Sequence, residues 1–217
     1  MIGRFGFALL LVSLSSGALA DGIDTKSLPF LYTKGRMEVV HDHEMAGPAN
    51  QPFYTLAVSP IGSWDSLYDS RFSEEERVRN ALQRCEHRAQ RKCVLVYFDG
   101  KPTGEKAPRS SGLTYAQTVS IDTIPFVPKD VLERVMPRLL AGKPHRAMAI
   151  SSQGIVGLDA GAADAATASR LALENCNRIA TVSACFLYAV DDKVVFTRQT
   201  KIYEKPVAVA MPDTKAK

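Results

Sequence analysis

The stretch YTLAVS at residues 54–59 returns in altered form as RAMAIS at residues 146–151. Each stretch leads into an apolar helical pattern that ends in a cysteine, and a second cysteine then opens another apolar run. Matching positions in the two copies lie 91 or 92 residues apart. The cysteines concerned are Cys85 and Cys93 in the first copy and Cys176 and Cys185 in the second. The sequence therefore predicts a duplicated strand–helix–strand unit.

The duplicated pattern favours an α+β fold. The spacing from strand to helix to strand permits a parallel crossover, while turn residues after each second strand indicate hairpins. We therefore expect one or two mixed sheets with the helices packed on one face and one disulfide in each unit. Ser73 and Glu76 form a capping-box pattern that should begin the first helix. Residues 36–40 are predicted to form a short strand, and residues 61–72 a connecting loop.

The N-terminus has the pattern of a secretory signal peptide. Arg4 precedes an apolar run over residues 5–14, and Ala18-Leu19-Ala20 is a typical cleavage site. The apolar run is too short to remain as a membrane-spanning helix. We expect export to the periplasm or the medium, with no transmembrane segment after cleavage. The predicted division is a signal peptide at 1–20, a first unit with an N-terminal leader at 21–111, a second unit at 112–204 and a disordered tail at 205–217.

Composition places the chain among ordinary globular proteins. Of its 217 residues, 46% are hydrophobic and 23% are charged. The formal net charge of +4 is too small to indicate binding to nucleic acid. We therefore expect no nucleic-acid partner.

The four cysteines of an exported chain imply disulfide bonds. Three pairings are possible, and the repeat favours Cys85–Cys93 with Cys176–Cys185 because each copy then closes its own bridge. A zinc site with four cysteine ligands is disfavoured, since the paired C-x2-C spacing is absent. A catalytic thiol is disfavoured as well, since both copies are paired.

The densest group of potential metal ligands is His41-Asp42-His43-Glu44. On a strand, His41 and His43 would point to the same face and could share a metal ion. No third ligand is placed by the sequence, and the other histidines are His87 and His145. The two residues are therefore weak metal candidates, and a polar strand end is the favoured interpretation.

Trp64 and Tyr68 lie in the predicted loop at residues 61–72. Exposed aromatic side chains on a loop are typical of a binding surface. We therefore expect any ligand site to lie where this loop meets the second copy. A basic cluster at residues 84–92 could bind an anion, although its place at a helix C-terminus is explained by the helix dipole.

Several short pieces of the chain resemble a group of exported alphaproteobacterial proteins of unknown function. The pieces are KGRMEVV at 34–40, QPFY at 51–54, LAVSP at 56–60, ALxxC at 81–85 and CV at 93–94, with their counterparts in the second half. Members of this group often carry the automatic label 5-aminolevulinate synthase. That enzyme is cytoplasmic and much longer, and it needs a Schiff-base lysine, a pyridinium partner and a large cofactor domain. No stretch of this exported chain resembles that assembly. We therefore reject the enzyme label and expect no cofactor.

The sequence contains no catalytic signature. Neither the G-x-S-x-G pattern of a nucleophilic serine nor the H-E-x-x-H pattern of a zinc protease occurs. No catalytic residue is assigned, and the preferred interpretation is a non-catalytic binding module for an envelope protein or a small ligand. The alternative is a small envelope enzyme, a metal-assisted hydrolase that uses the region around His41 and His43.

Overall fold

The computed structural model describes residues 23–104, 107–141, 144–181 and 183–203. The predicted signal peptide and C-terminal tail lie outside these residues. Within them the chain forms two four-stranded sheets with strand orders β2-β1-β3-β4 and β6-β5-β7-β8. The duplicated α+β architecture predicted from the repeat is confirmed.

The first unit is built from two helices and four strands, joined by short turns. Its elements are α1 (Thr33–Ala46), β1 (Thr55–Val58), β2 (Trp64–Leu67), α2 (Glu74–Ala89), β3 (Val94–Phe98) and β4 (Lys101–Pro102). The second unit repeats this order with α3 (Lys129–Leu140), β5 (Arg146–Ser151), β6 (Val156–Ala160), α4 (Ala165–Asn177), β7 (Cys185–Val190) and β8 (Lys193–Val194). Single 3-10 turns lie at Gln51–Phe53 and Ile121–Thr123.

Both sheets are antiparallel, so the expected mixed sheets are absent from the described structure. The predicted loop at residues 61–72 contains β2, which turns back along β1. The backbone N–H of Ser59 donates to the carbonyl of Ser63, and Gly62 adopts a left-handed φ of 84° in the turn. Because β2 reverses the chain before α2 begins, β3 enters antiparallel to β1. Helix α2 therefore joins β2 to β3, which run in the same direction on either side of β1 but do not pair with each other.

Helices cover both faces of each sheet, and the expectation of helices on one face is wrong. In the first sheet Leu56 and Val58 pack beneath α1, while Ala57 packs beneath α2. The second sheet has the same arrangement, with α3 on one face and α4 on the other. Each unit therefore has three layers, because the alternating side chains of a strand supply apolar surface on both faces.

The predicted strand at residues 36–40 is part of α1. The buried residues of this helix are Val39, His43 and Ala46, which follow the i, i+4, i+7 spacing of one helix face. The local run Met-Glu-Val-Val favours a strand by propensity, but burial against the first sheet selects the helix. The leader is also part of the core, since Ile23 and Leu28 are buried with α1.

An irregularity in strand pairing is duplicated together with the fold. The register shifts between Leu56 and Ala57 in the first sheet and between Met148 and Ala149 in the second. Each shift leaves one extra residue on the neighbouring strand, Val96 in β3 and Tyr188 in β7. Structural equivalence therefore matches Val96 with Tyr188, since both occupy the bulge.

Helix α2 begins as the sequence predicts, with a capping box between Ser73 and Glu76. Part of its polar face is shielded from solvent, because the second unit packs against it. The hydrogen bonds across this contact include those that join Lys129 to Glu76, Phe126 to Gln83 and His87 to Thr200. The predicted basic surface at residues 84–92 is therefore partly occupied, since Arg84 and His87 are buried whereas Arg88, Arg91 and Lys92 are exposed.

The two disulfides have the predicted pairing. Cys85 bonds to Cys93 and Cys176 bonds to Cys185. Each bridge joins the end of a helix to the start of the following strand, and all four sulfurs are paired. The bridges therefore fix α2 and α4 to their own sheets.

Candidate functional site

The structure separates the two histidines proposed as metal ligands. Helix α1 carries both, and residues two apart on a helix point in different directions. His41 is exposed, whereas His43 is buried and meets the ring of Tyr54 edge-on at 4.9 Å. Burial lowers the pKa of His43 despite the adjacent carboxylates of Asp42 and Glu44. The shared-face premise is therefore wrong.

Metal ligands do not converge elsewhere in the described ranges. No group of three or more histidine, cysteine, aspartate or glutamate side chains in that part of the chain could hold a metal ion. The lysines of the same ranges are all exposed.

Trp64 and Tyr68 are half-buried and not the exposed loop aromatics that the sequence predicts. Trp64 opens β2 and packs against the core beneath α1. Tyr68 follows β2 and stacks on Tyr54, with parallel rings 6.1 Å apart. Both residues therefore contribute to packing, although Tyr68 keeps part of its surface free.

A polar cluster supports the stacked rings from beneath. The Tyr54 hydroxyl donates to Asp42 at 2.7 Å, and the Ser66 hydroxyl donates to the same carboxylate oxygen at 2.5 Å. Burial, reinforced by the Asp42 charge, raises the pKa of Tyr54 well above its ordinary value. Tyr54 therefore stays protonated and fixes the ring on which Tyr68 stacks.

Tyr68 reaches a cleft at the junction of the two units, which we call the inter-unit cleft. Its volume is about 520 Å³, within the range of small-ligand sites. It is lined from the first unit by Asn50, Tyr68, Asp69 and Arg71, and from the second unit by Gln153, Ile155, Ile179, Ala180, Thr181 and Ser183. The predicted meeting place of residues 61–72 and the second copy is thus a concave surface.

An ion pair forms the first-unit wall of the inter-unit cleft. Arg71 binds Asp69 through two guanidinium nitrogens, and it also donates to the carbonyl oxygen of Gln153 at 3.5 Å. Burial alone would raise the pKa of Asp69, but the hydrogen bonds from Arg71 outweigh it and hold that pKa below its usual value. The wall is therefore neutral overall, with both charges already paired.

The second-unit wall offers polar groups with unused hydrogen-bonding capacity. The Ser183 hydroxyl is buried and has no hydrogen-bond partner among the described residues. The side chains of Gln153 and Thr181 also make no hydrogen bond within the described part of the chain, and Ile155, Ile179 and Ala180 provide apolar surface between them. Buried polar atoms normally have partners, so an unpartnered hydroxyl beside a cleft indicates a place for a bound polar group.

Neither the cleft nor its composition follows from local sequence patterns. Gln153, Thr181 and Ser183 lie in turns of the second unit, far from Tyr68 along the chain. The repeat places these turns at the ends of predicted strands and helices, and turns at such ends commonly carry binding residues. That signal points to the region but not to the individual side chains.

Comparisons with known proteins find no match for this chain. No protein-family model, curated protein or solved structure matches this chain significantly. Among the helices in the described ranges, none is long and apolar enough to cross a membrane. The geometry of the inter-unit cleft is therefore the main guide to function.

Proposed function

We propose that this chain is an exported, non-catalytic binding module and that the inter-unit cleft holds a small neutral ligand rich in hydroxyl or amide groups. The observation that carries the proposal is the buried, unpartnered Ser183 hydroxyl in a cleft of about 520 Å³. Two formed disulfides and the N-terminal signal pattern support export to the periplasm or the medium. The resemblance to exported alphaproteobacterial proteins is in line with this assignment.

The ligand class follows from the lining. The Asp69–Arg71 pair leaves no uncompensated charge in the wall, so a strongly charged ligand would lose hydration without gaining an opposite charge. The free polar groups are hydroxyls and amides, which recognise ligands of the same kind. Tyr68 and Ile155 supply flat and apolar surface for the carbon skeleton of the ligand.

The chemistry of the cleft favours binding over catalysis. A hydrolase needs a nucleophile within hydrogen-bond reach of a base, or a metal ion that activates water. Ser183 has no hydrogen-bond partner in the described structure, and no histidine lines this cleft. The metal-assisted hydrolase suggested for His41 and His43 gains no support from their separation on α1.

Exchange of one exposed residue tests the proposal. The tagged, exported protein is recovered from its own periplasm, and the small molecules released from it are identified by mass spectrometry. Thr181→Phe places a ring in the inter-unit cleft from an exposed position, so that the fold should be kept. Thr114→Phe is the matched control, since Thr114 is exposed and does not line this cleft.

The expected result is a neutral polar molecule that accompanies the wild type and Thr114→Phe but is lost from Thr181→Phe. Equal melting temperatures would show that the three proteins are folded alike. Recovery of the same molecules from Thr181→Phe as from the wild type would refute the site. Turnover of the recovered molecule by the wild-type protein would refute the non-catalytic role.

A further inference from the structure

A second cleft lies in the first unit, between the N-terminal segment and the first sheet. We call it the N-terminal cleft. Its volume is about 480 Å³, and its walls are residues 27–30 on one side and parts of β3 and β4 on the other. Leu28 anchors the segment in the core, whereas Phe30 is 47% exposed at the mouth. The cleft does not share a lining residue with the inter-unit cleft.

The interior of the N-terminal cleft is apolar. Val94 and Val96 lie two apart along β3 and present the same face of the sheet, and Pro102 of β4 continues this surface. The neutral hydroxyls in the lining are already engaged. Ser27 donates to the carbonyl of Asp24, and Thr103 donates to that of Leu95. A ligand in this interior therefore gains chiefly from burying aliphatic surface.

Two cationic side chains stand at the cleft, and no carboxylate lines it. Arg109 pairs with Val94 across the sheet, so its side chain shares the face of β3 that lines the cleft. Lys92 lies two residues before Val94. Lys92 also interacts electrostatically with Glu86, but Arg109 makes no hydrogen bond or ion pair within the described ranges. The charge at the cleft is thus positive and partly uncompensated.

The N-terminal segment is held in a conformation that few residues adopt. Phe30 has a φ of 64°, in the left-handed region. Its carbonyl oxygen lies against Gly62, where an added Cβ would approach it to 3.2 Å. Such backbone conformations persist where surrounding contacts fix them, and they are frequent at ligand clamps. The wall of the cleft is therefore fixed before any ligand enters.

From the apolar interior and the cationic side chains we infer that the N-terminal cleft binds a single-chain anionic amphiphile. The aliphatic chain lies between the segment at residues 27–30 and β3, and the anionic group meets Lys92 and Arg109. A carboxylate and a phosphate monoester satisfy the same two cations, so a free fatty acid and a lipid-derived phosphate are both sources of this chemistry. This site is independent of the neutral ligand proposed for the inter-unit cleft.

The test uses the full exported protein and amphiphilic probes whose alkyl chains all have the same length. The concentration of each probe is kept below that at which it forms micelles. Titration calorimetry measures dodecanoate, dodecyl phosphate, dodecanol and dodecyltrimethylammonium. We expect the two anions to bind, dodecanol to bind about tenfold more weakly, and the cation to show no saturable binding. Comparison of the two anions distinguishes a carboxylate source from a phosphate source. Equal binding of the anionic and cationic probes would overturn the inference.

Two variants test separately how the cationic side chains and the apolar interior contribute to binding. Lys92→Gln with Arg109→Gln changes exposed side chains, and we expect it to weaken dodecanoate binding about tenfold while dodecanol binding is kept. Val94→Phe fills the interior and should weaken both probes. The matched control is Lys129→Gln with Arg134→Gln, which removes the same charge from exposed positions on α3. If the control variant lost as much dodecanoate affinity as the cleft variant, the assigned contacts would be wrong.

Discussion

Asp65 and Gly157 occupy the same position in the two units, although one carries a carboxylate and the other has no side chain. Asp65 pairs with Ala57 between β1 and β2, and Gly157 pairs with Ala149 between β5 and β6. Both positions lie beneath the helix that ends in the disulfide. The helix above this position therefore packs on its strand in a different way in each unit.

In the second unit, α4 rests directly on the strand. A Cβ at Gly157 would lie 2.2 Å from the carbonyl oxygen of Ala172 and 2.3 Å from the backbone nitrogen of Cys176. In the first unit the Asp65 carboxylate binds Arg84 of α2 at 2.7 Å and approaches Arg88 at 3.6 Å. A close backbone contact in one copy thus corresponds to a buried ion pair in the other.

Gly157→Ala should destabilise the protein by about 3 kcal/mol, because the obstructing atoms belong to the backbone of a helix that the disulfide holds in place. Chemical denaturation of both proteins measures the free energy of unfolding. Gly35→Ala is the control, since its Cβ would meet its nearest neighbour at an ordinary 3.5 Å within α1. That exchange should be neutral or slightly stabilising. Equal effects at the two glycines would contradict the proposed close contact.

Asp65→Ala should cost about 3–5 kcal/mol, because it leaves the buried guanidinium of Arg84 without its carboxylate. Tyr203 also donates to Asp65, so the C-terminal segment should loosen as well. Adding Arg84→Met should recover part of the loss, since the second exchange removes the unpaired charge. A double-mutant cycle followed by denaturation measures this coupling, and strictly additive effects would argue against a paired interaction.

Removal of the two disulfides should lower amide protection in different parts of the protein. Replacing either pair by alanine should cost about 2–4 kcal/mol. Cys85–Cys93 fixes α2, which packs against the second unit, so its loss should lower amide protection in both units. Cys176–Cys185 fixes α4 to its own sheet, and its loss should act mainly on the second unit. Hydrogen exchange measured by mass spectrometry resolves the two patterns, and identical patterns would contradict this prediction.

Acid should weaken the contact between the two units through His87. Its ring nitrogens lie 2.8 Å from the Tyr115 hydroxyl and 2.7 Å from the carbonyl oxygen of Thr200, and it stacks on Phe196. Burial lowers the pKa of His87 below its ordinary 6.5, although the bond to Thr200 opposes this shift. The unfolded chain therefore takes up the proton first as pH falls through 6.5, and the stability contributed by neutral His87 is lost below that pH.

Denaturation at pH 7.5 and pH 5 tests this dependence. His87→Gln should be less stable than the wild type at the higher pH, but it should lose less stability on acidification. His43, whose pKa is also lowered, supplies the acid sensitivity that remains. His41→Gln is the control for the exchange itself, since it replaces an exposed histidine on α1. An unaltered profile in His87→Gln would refute the assignment.

Tyr68→Ala should lower the free energy of unfolding by about 2 kcal/mol, because it removes the ring stacked on Tyr54. Trp64→Ala should act similarly through the core beneath α1. Tyr32→Ala is the control, since that ring is 70% exposed and its loss should change stability by less than about 0.5 kcal/mol. Thermal melting compares the three variants. Unchanged melting of Tyr68→Ala would mean that the stacked packing is not formed in solution.

Several features could be predicted because their determinants are local in sequence. The capping box at Ser73 and Glu76 needs one helical turn, and each disulfide closes a short loop. Asp99 and Asp191, matched by the repeat, both adopt left-handed turns as strand-end aspartates commonly do. The residues around Trp64 are polar and turn-like, so the sequence predicts a loop in place of β2. The strand conformation of β2 is decided by its pairing with β1.

By itself the sequence determined the duplication, the disulfide pairing and the α+β class, since a repeated apolar pattern and short cysteine spacings leave few alternatives. Tertiary structure alone decided what the charged face of α2 does. Arg77, Arg84 and His87 resemble a solvated surface locally, yet tertiary packing buries all three. Tertiary structure also decided the inter-unit cleft, because Tyr68 and Ser183 line one cleft only when distant turns pack together. Burial and long-range pairing depend on partners that no local window of sequence contains.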